Sequence, residues 1–214
     1  MTVRYVGIDP SSMTGFFIQD EKGKIIVETD LFYTYRKDPE RMIYIAEEIV
    51  RKLNIETDII CIENFSYNSV GQSIDYQYGV GWIIREHLHN AGFKYYDVSP
   101  KSLKKFATGN GNASKKLMVE PIEKRWGFKH PSDNVTDAFI LSEIAKAIDK
   151  GNEYEKLKDH EKQVVKVVKS SILNKDEWKE VKPPPWMNPR SKYYFKREGL
   201  EEGSNFKEEK QQAK

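Results

Sequence analysis

The sequence predicts an α/β fold, a mixed sheet with helices on both faces, and three observations carry that prediction. Three short stretches rich in β-branched and aromatic residues follow one another near the N-terminus, and helical and strand periodicities alternate after them. One later stretch, Asp58-Ile-Ile-Cys-Ile-Glu63, is a nearly continuous apolar run of the kind found in strands buried on both faces. Successive strands pair antiparallel through short turns, whereas parallel neighbours need a crossover, so this order predicts both pairings in one sheet.

Each element has its own signature. Tyr5 to Ile8, Gly15 to Ile18 and Lys24 to Leu31 are separated by Asp, Ser and Gly turn signals and predict a meander. Asp38-Pro39-Glu40 reads as an N-cap with proline at the first helical position, and Met42, Ile43, Ala46, Ile49, Val50 and Leu53 recur at helical spacing to about Asn54. Asp58 to Glu63 should lie in the interior of the sheet. Val80, Ile83, Ile84 and Leu88 predict a helix over Gly79 to Ala91, and Phe93 to Val98 returns as a strand. Ser99-Pro100 opens a helix that the Gly-Asn-Gly-Asn run at 109–112 stops. Ser114 to Trp126 and Ser132 to Ile148 follow as helices, the last striped by Val135, Phe139, Ile140, Ile144 and Ala147. In shorthand the order is βββαβαβαα.

At 214 residues and 25.0 kDa the chain accommodates one well-buried domain and an appendage. The expected division is residues 1–150 as the domain and 151–214 as a charged extension, since the last 64 residues hold 15 Lys/Arg and 12 Asp/Glu. Tyr154 to Ile172 reads as an amphipathic helix, Lys182-Pro-Pro-Pro-Trp186 as extended, and the chain from Glu201 as too polar to fold. No apolar run nears the ~18 residues of a membrane span, and the N-terminus does not resemble a signal peptide. With Cys61 as the single cysteine, a small core residue, the expectation is a reducing cytoplasm.

A net charge of +2 does not indicate a polyanionic partner, but its distribution is uneven. Between Lys94 and Lys129 nine Lys/Arg face three acids, Asp97, Glu120 and Glu123. Such a segment is either a solvated helical face or a surface for phosphates.

Four acids suggest chemistry. Asp9 closes the first strand and precedes a proline, and Glu63 holds the same relative place on the buried strand. Were the two strands parallel neighbours, both carboxylates would converge beyond the carboxyl ends of the sheet. Asp133 and Asp137 lie four apart at the start of the last helix, where like charges on one face repel. Taken singly, Asp9 serves equally as a turn residue, Glu63 as a lysine's partner and Asp133 as an N-cap. Together the four offer the oxygen ligands that magnesium favours, and two such ions roughly 3.5–4 Å apart activate water for phosphodiester hydrolysis. His87, His89, His130 and His160 show no ligand spacing.

Val6-Gly-Ile-Asp9-Pro-Ser-Ser-Met-Thr-Gly15 resembles the opening motif of RuvC-type Holliday junction resolvases, the crossover junction endodeoxyribonucleases. Ile62-Glu63-Asn-Phe65 with Gly71-Gln-Ser resembles their second acidic motif, Ser99 to Lys116 their basic segment, and Asp133-Asn-Val-Thr-Asp137 their final acidic helix. The resemblance spans about Val6 to Ala147. It implies a ribonuclease-H-like fold for residues 1–150 and cleavage of branched DNA with two Mg²⁺, Mn²⁺ being the alternative, and no small-molecule cofactor. It also implies a homodimer.

By the same resemblance Asp9, Glu63, Asp133 and Asp137 would hold the metals, and Lys104 and Lys115 would contact the scissile phosphate region, with Lys116 the alternative to Lys115. Lys101 and Lys105 would bind DNA. The chain departs from the family where Asn134 stands three residues before Asp137, a place that often carries an acid or histidine; Asp133 and Asn134 are both candidates. Phe65, Tyr67, Tyr76 and Tyr78 either stack on unpaired bases or pack in the core. The size, the lysines and the tail are similar to phage members, which would act in a host cytoplasm. Gly7-Ile-Asp9 with Thr14-Gly15 also resembles the phosphate loop of actin-like sugar kinases, but 214 residues leave no room for that fold's second domain. A non-catalytic DNA-structure-binding or interaction protein on the same fold is the remaining alternative.

Overall fold

The structure, a computed structural model, describes residues 2–65, 74–154 and 157–170. Five strands form one sheet: β1 (Arg4–Asp9), β2 (Thr14–Asp20), β3 (Ile25–Leu31), β4 (Asp58–Glu63) and β5 (Tyr95–Val98), in the order β3-β2-β1-β4-β5. The first three are the expected antiparallel meander, while β1 pairs parallel with β4, and β4 with β5. β1 is therefore central, with Ile8 beside Ile62, and the next residues along, Asp9 and Glu63, leave the sheet at the same end.

Among the described residues six α-helices pack around the sheet: α1 (Glu40–Lys52), α2 (Ile74–Asn90), α3 (Pro100–Thr108), α4 (Lys115–Trp126), α5 (Asp133–Lys150) and α6 (Asp159–Ser170). Four of them follow β5, the three expected between Ser99 and Ile148 and one in the expected amphipathic stretch, two more than the shorthand order holds. Alternation along the strands divides the core in two. Val6, Ile8, Phe16, Ile18, Ile60 and Ile62 face α1 and α2, and Tyr5, Phe17, Cys61 and Val98 face α3 to α6.

Several boundaries differ from the expectation for local reasons. α2 begins five residues before Gly79, because Tyr76, Val80, Ile84 and Leu88 form one buried stripe that tolerates the glycines inside it. The N-cap of α1 is Pro39 and not Asp38, whose carboxylate instead holds Arg41 at 2.9 Å. Ser132 caps α5, its hydroxyl accepting from the Val135 N–H at 3.3 Å, so Asp133 is free of that duty. α6 lies inside the expected amphipathic stretch and docks through Val164, Val165 and Val168. The expectations for Tyr67, Gly71, Lys182 to Trp186 and the chain from Glu201 lie outside the described residues. Among the described residues no helix is long and apolar enough to cross a membrane.

A carboxylate cluster at the carboxyl ends of β1 and β4

Strand alternation decides which way the acids point. Asp9 shares a face with Tyr5 and Gly7, and Glu63 shares one with Ile59 and Cys61, so both carboxylates turn toward α5. Two glycines then let α5 lie directly on the sheet. A Cβ on Gly7 would sit 1.8 Å from the Ala138 carbonyl oxygen, and one on Gly15 would sit 2.1 Å from that of Asn134. This close approach carries Asp137 to Asp9, two residues separated by 128 positions of sequence.

The cluster is charged and dry. Asp9 and Asp137 are each 4% exposed. Burial, with Glu63 and Asp137 nearby, pushes the Asp9 carboxyl well above the usual carboxylate range, and burial next to Asp137 pushes Glu63 up to about 7. The interaction between the two side chains raises the Asp9 carboxyl further and opposes the rise at Glu63. Burial raises Asp137 as well, against the opposing pull of Lys115, whose ammonium pairs with Asp137 Oδ2. Asp137 Oδ1 is buried with no hydrogen-bond partner among the described residues.

Lys104, on α3, favours the ionised forms of both Glu63 and Asp137. The structure thus brings Asp9, Glu63, Asp137, Lys104 and Lys115 together. Asp133 stands one helical turn before Asp137, exposed, and its charge raises the Asp137 pKa; with Lys115 and His130 it lines a small adjoining recess. Asn134 lies against β2 through its backbone. Lys101 and Lys116 are exposed on α3 and α4, and the Lys105 ammonium donates to Gln163 Oε1 at 2.8 Å.

Sequence reasoning missed Arg85. Its guanidinium is buried on α2, donates to the Glu63 carbonyl oxygen at 2.9 Å and to Asp97 Oδ1 at 2.7 Å, and stacks over the Phe65 ring at 4.6 Å. It therefore ties the chain at and just after Glu63 to α2 and β5. Phe65 also contacts Tyr78 and Trp82, with ring centroids 5.1 and 5.0 Å away, and Trp82 is 60% exposed. The available signal was a lone arginine among the inward positions Val80, Ile84 and Leu88, where an unpaired charge is costly. Tyr76 is 8% exposed and belongs to the core.

The donor chemistry suits a hard cation: three clustered carboxyl groups with raised pKa values offer oxygen ligands, and Asp137 Oδ1 has an acceptor position to spare. Among the described residues, no three His, Cys, Asp or Glu side chains are disposed to hold a metal ion as they stand. The Lys115 ammonium provides the counter-charge in this arrangement.

The sheet order, the antiparallel meander entering two parallel strands and the helix laid across β1 define the ribonuclease-H-like fold. Two solved structures that share it are of Thermus thermophilus RuvC. One matches at 21% identity and a TM-score of 0.54, covering 70% of this chain and 97% of that one. The other, RuvC in complex with a Holliday junction substrate, matches at 18% identity and a TM-score of 0.53, covering 70% and 96%. No family model and no curated protein matches the sequence.

Proposed function

We propose that the chain is a metal-dependent endonuclease that resolves Holliday junctions and other branched DNA. The observation that carries this reading is the convergence of Asp9, Glu63 and Asp137 at the carboxyl ends of β1 and β4, with Lys104 and Lys115 at its edge. The likeness of fold to RuvC, one structure of which holds a Holliday junction substrate, supports the choice of DNA. Residues 1–150 carry the nuclease.

In this reading Asp9, Glu63, Asp137 and Asp133 hold Mg²⁺ or Mn²⁺, with Asn134 the alternative to Asp133. The bound ions would supply charge neutralisation and an activated water for phosphodiester hydrolysis. The remaining work falls to the chain. Asp9 and Glu63, whose protonated forms burial favours, must ionise to become competent, and the buried setting of Asp9 and Asp137 limits the access of bulk water to them. Lys104 and Lys115, with Lys116 as the neighbour able to substitute, meet phosphate oxygens, and Lys101 and Lys105 bind the flanking backbone. Phe65, half-buried between Arg85 and the exposed Trp82, would stack on an unpaired base, and Tyr67 follows it in sequence. A four-way junction with two-fold symmetry asks for two cuts, hence a homodimer. Phage origin and a cytoplasmic setting belong to the same reading.

The Lys115–Asp137 pair favours one alternative, a non-catalytic DNA-structure-binding protein in which the lysine permanently replaces the cation. Cleavage of labelled four-way, three-way and linear duplex DNA in Mg²⁺ separates the two, with Asp9→Asn and Asp137→Asn alongside. Paired nicks on branched DNA, lost in both variants, support the nuclease. Binding by the wild type without cutting supports the alternative, and equal cutting of linear duplex removes the claim of branch selectivity.

A further inference from the structure

α6 adds a second lysine-lined surface to the fold. Its inner face, Glu161, Val164, Val165 and Val168, is buried, and Glu161 makes an ion pair with the half-buried Arg125 of α4 at 2.8 Å. Its first turn rests on the left-handed cap of α3, the His160 ring lying 3.6 Å from where a Cβ on Gly109 would be. Helix α6 is thus anchored at a defined angle to α3. Between the two runs an open groove of about 520 Å³, lined by Lys101, Ser102, Lys105, Asn112, Gln163 and Lys166.

The charge in this groove is one-sided. Lys101 and Lys166 are exposed and make no ion pair among the described residues, and no acid is among the groove's lining residues. Lys101 and Lys105 are one helical turn apart on α3, and Lys104, which acts on Glu63 and Asp137, lies between them. Ser102, Asn112 and Gln163 set hydroxyl and amide groups beside the lysines, and Val164 and Val167 add apolar surface that suits the sugar; together these contact a sugar–phosphate backbone without reading bases. We infer that the α3–α6 groove is a track for the sugar–phosphate backbone of a duplex arm, continuing from the carboxylate cluster over α3 to α6. The inference rests on the branched-DNA reading above and assigns α6 a part in holding the substrate.

The test is binding of four-way junction DNA by the full chain in Ca²⁺ across a salt series, for wild type, Lys101→Gln/Lys166→Gln, and Lys22→Gln as a single-lysine control from the β2–β3 turn, at the end of the sheet opposite the carboxylate cluster. Each lysine–phosphate contact adds about 0.9 to the slope of log K against log salt, so the double variant should be shallower by about 1.8 and Lys22→Gln unchanged. Amine acylation followed by mass spectrometry should show Lys101 and Lys166 reactive in the free protein and protected by DNA. An unchanged slope in the double variant, or an equal loss in the control, overturns the inference. So do lysines that are unreactive with and without DNA, a result that would mean the groove is already filled by protein. If the wild type binds and cuts branched DNA while the double variant keeps its slope, this inference alone fails; if the wild type binds no branched DNA, the functional reading fails with it.

Discussion

Arg85 is the residue whose loss separates positioning from chemistry. It neutralises Asp97, satisfies the Glu63 carbonyl and supports Phe65, all from a site 4% exposed. Removing one partner of a buried ion pair costs about 3–5 kcal/mol, so Arg85→Met should lower the denaturation midpoint by that equivalent. Cleavage by the folded fraction should fall as well, because the main chain that carries Glu63 is no longer held. Asp137→Asn should behave oppositely, losing cleavage in the assay above while melting no lower than wild type, since the substitution removes a charge that burial disfavours. Glu63 gives a pH dependence with a definite sign. Its pKa rises from 4.5 to about 7 on folding, so between those values the native chain keeps a proton that the unfolded chain has released. That contribution is fully present below pH ~4.5 and is lost as the pH climbs through ~7. Metal-free protein should therefore show an unfolding free energy that declines over this window, and Glu63→Gln should flatten the decline.

At the scale of elements, the docking of α5 on β1 and β2 is what assembles the site, and Gly7 and Gly15 permit it. A Cβ 1.8 Å from the Ala138 carbonyl has no room, and because that neighbour is backbone the helix itself must move. Gly7→Ala should cost about 3 kcal/mol or more, measured by denaturant unfolding, and should abolish cleavage in the population that still folds. A glycine inside a strand signals close backbone approach, so this much was legible in Val-Gly-Ile-Asp9. The strands, the cap at Ser99 and the helix ending at Gly109 were legible too, because each depends on neighbours within a turn or two, whereas the cap of α5 is Ser132 and not the Asp133 that the sequence offered. The early start of α2 was not: Tyr76 joins the buried stripe only when α1 packs against it, and local propensity counts Gly79 and Gly81 against a helix.

For the molecule as a whole, the cluster predicts coupling between metal binding and folding. A ligand that binds only the native state stabilises it by RT ln(1 + [L]/Kd), about 2.7 kcal/mol at a hundredfold excess over Kd. Millimolar Mg²⁺ should raise the melting temperature of the wild type by several degrees and leave that of Asp9→Asn nearly unmoved, as thermal scans would show; equal shifts in both would place the cation elsewhere. The sequence by itself determined the composition of the sheet, the acids at the ends of two strands and the basic stretch after Lys94, since periodicity and turn chemistry are local. Only the tertiary structure decided that β1 and β4 are parallel neighbours, that Asp9 and Glu63 share a face, that Lys115 pairs with Asp137 and that α6 docks on α3. Those outcomes depend on which faces, distant along the chain, bury each other, and short-range pattern carries no record of that choice.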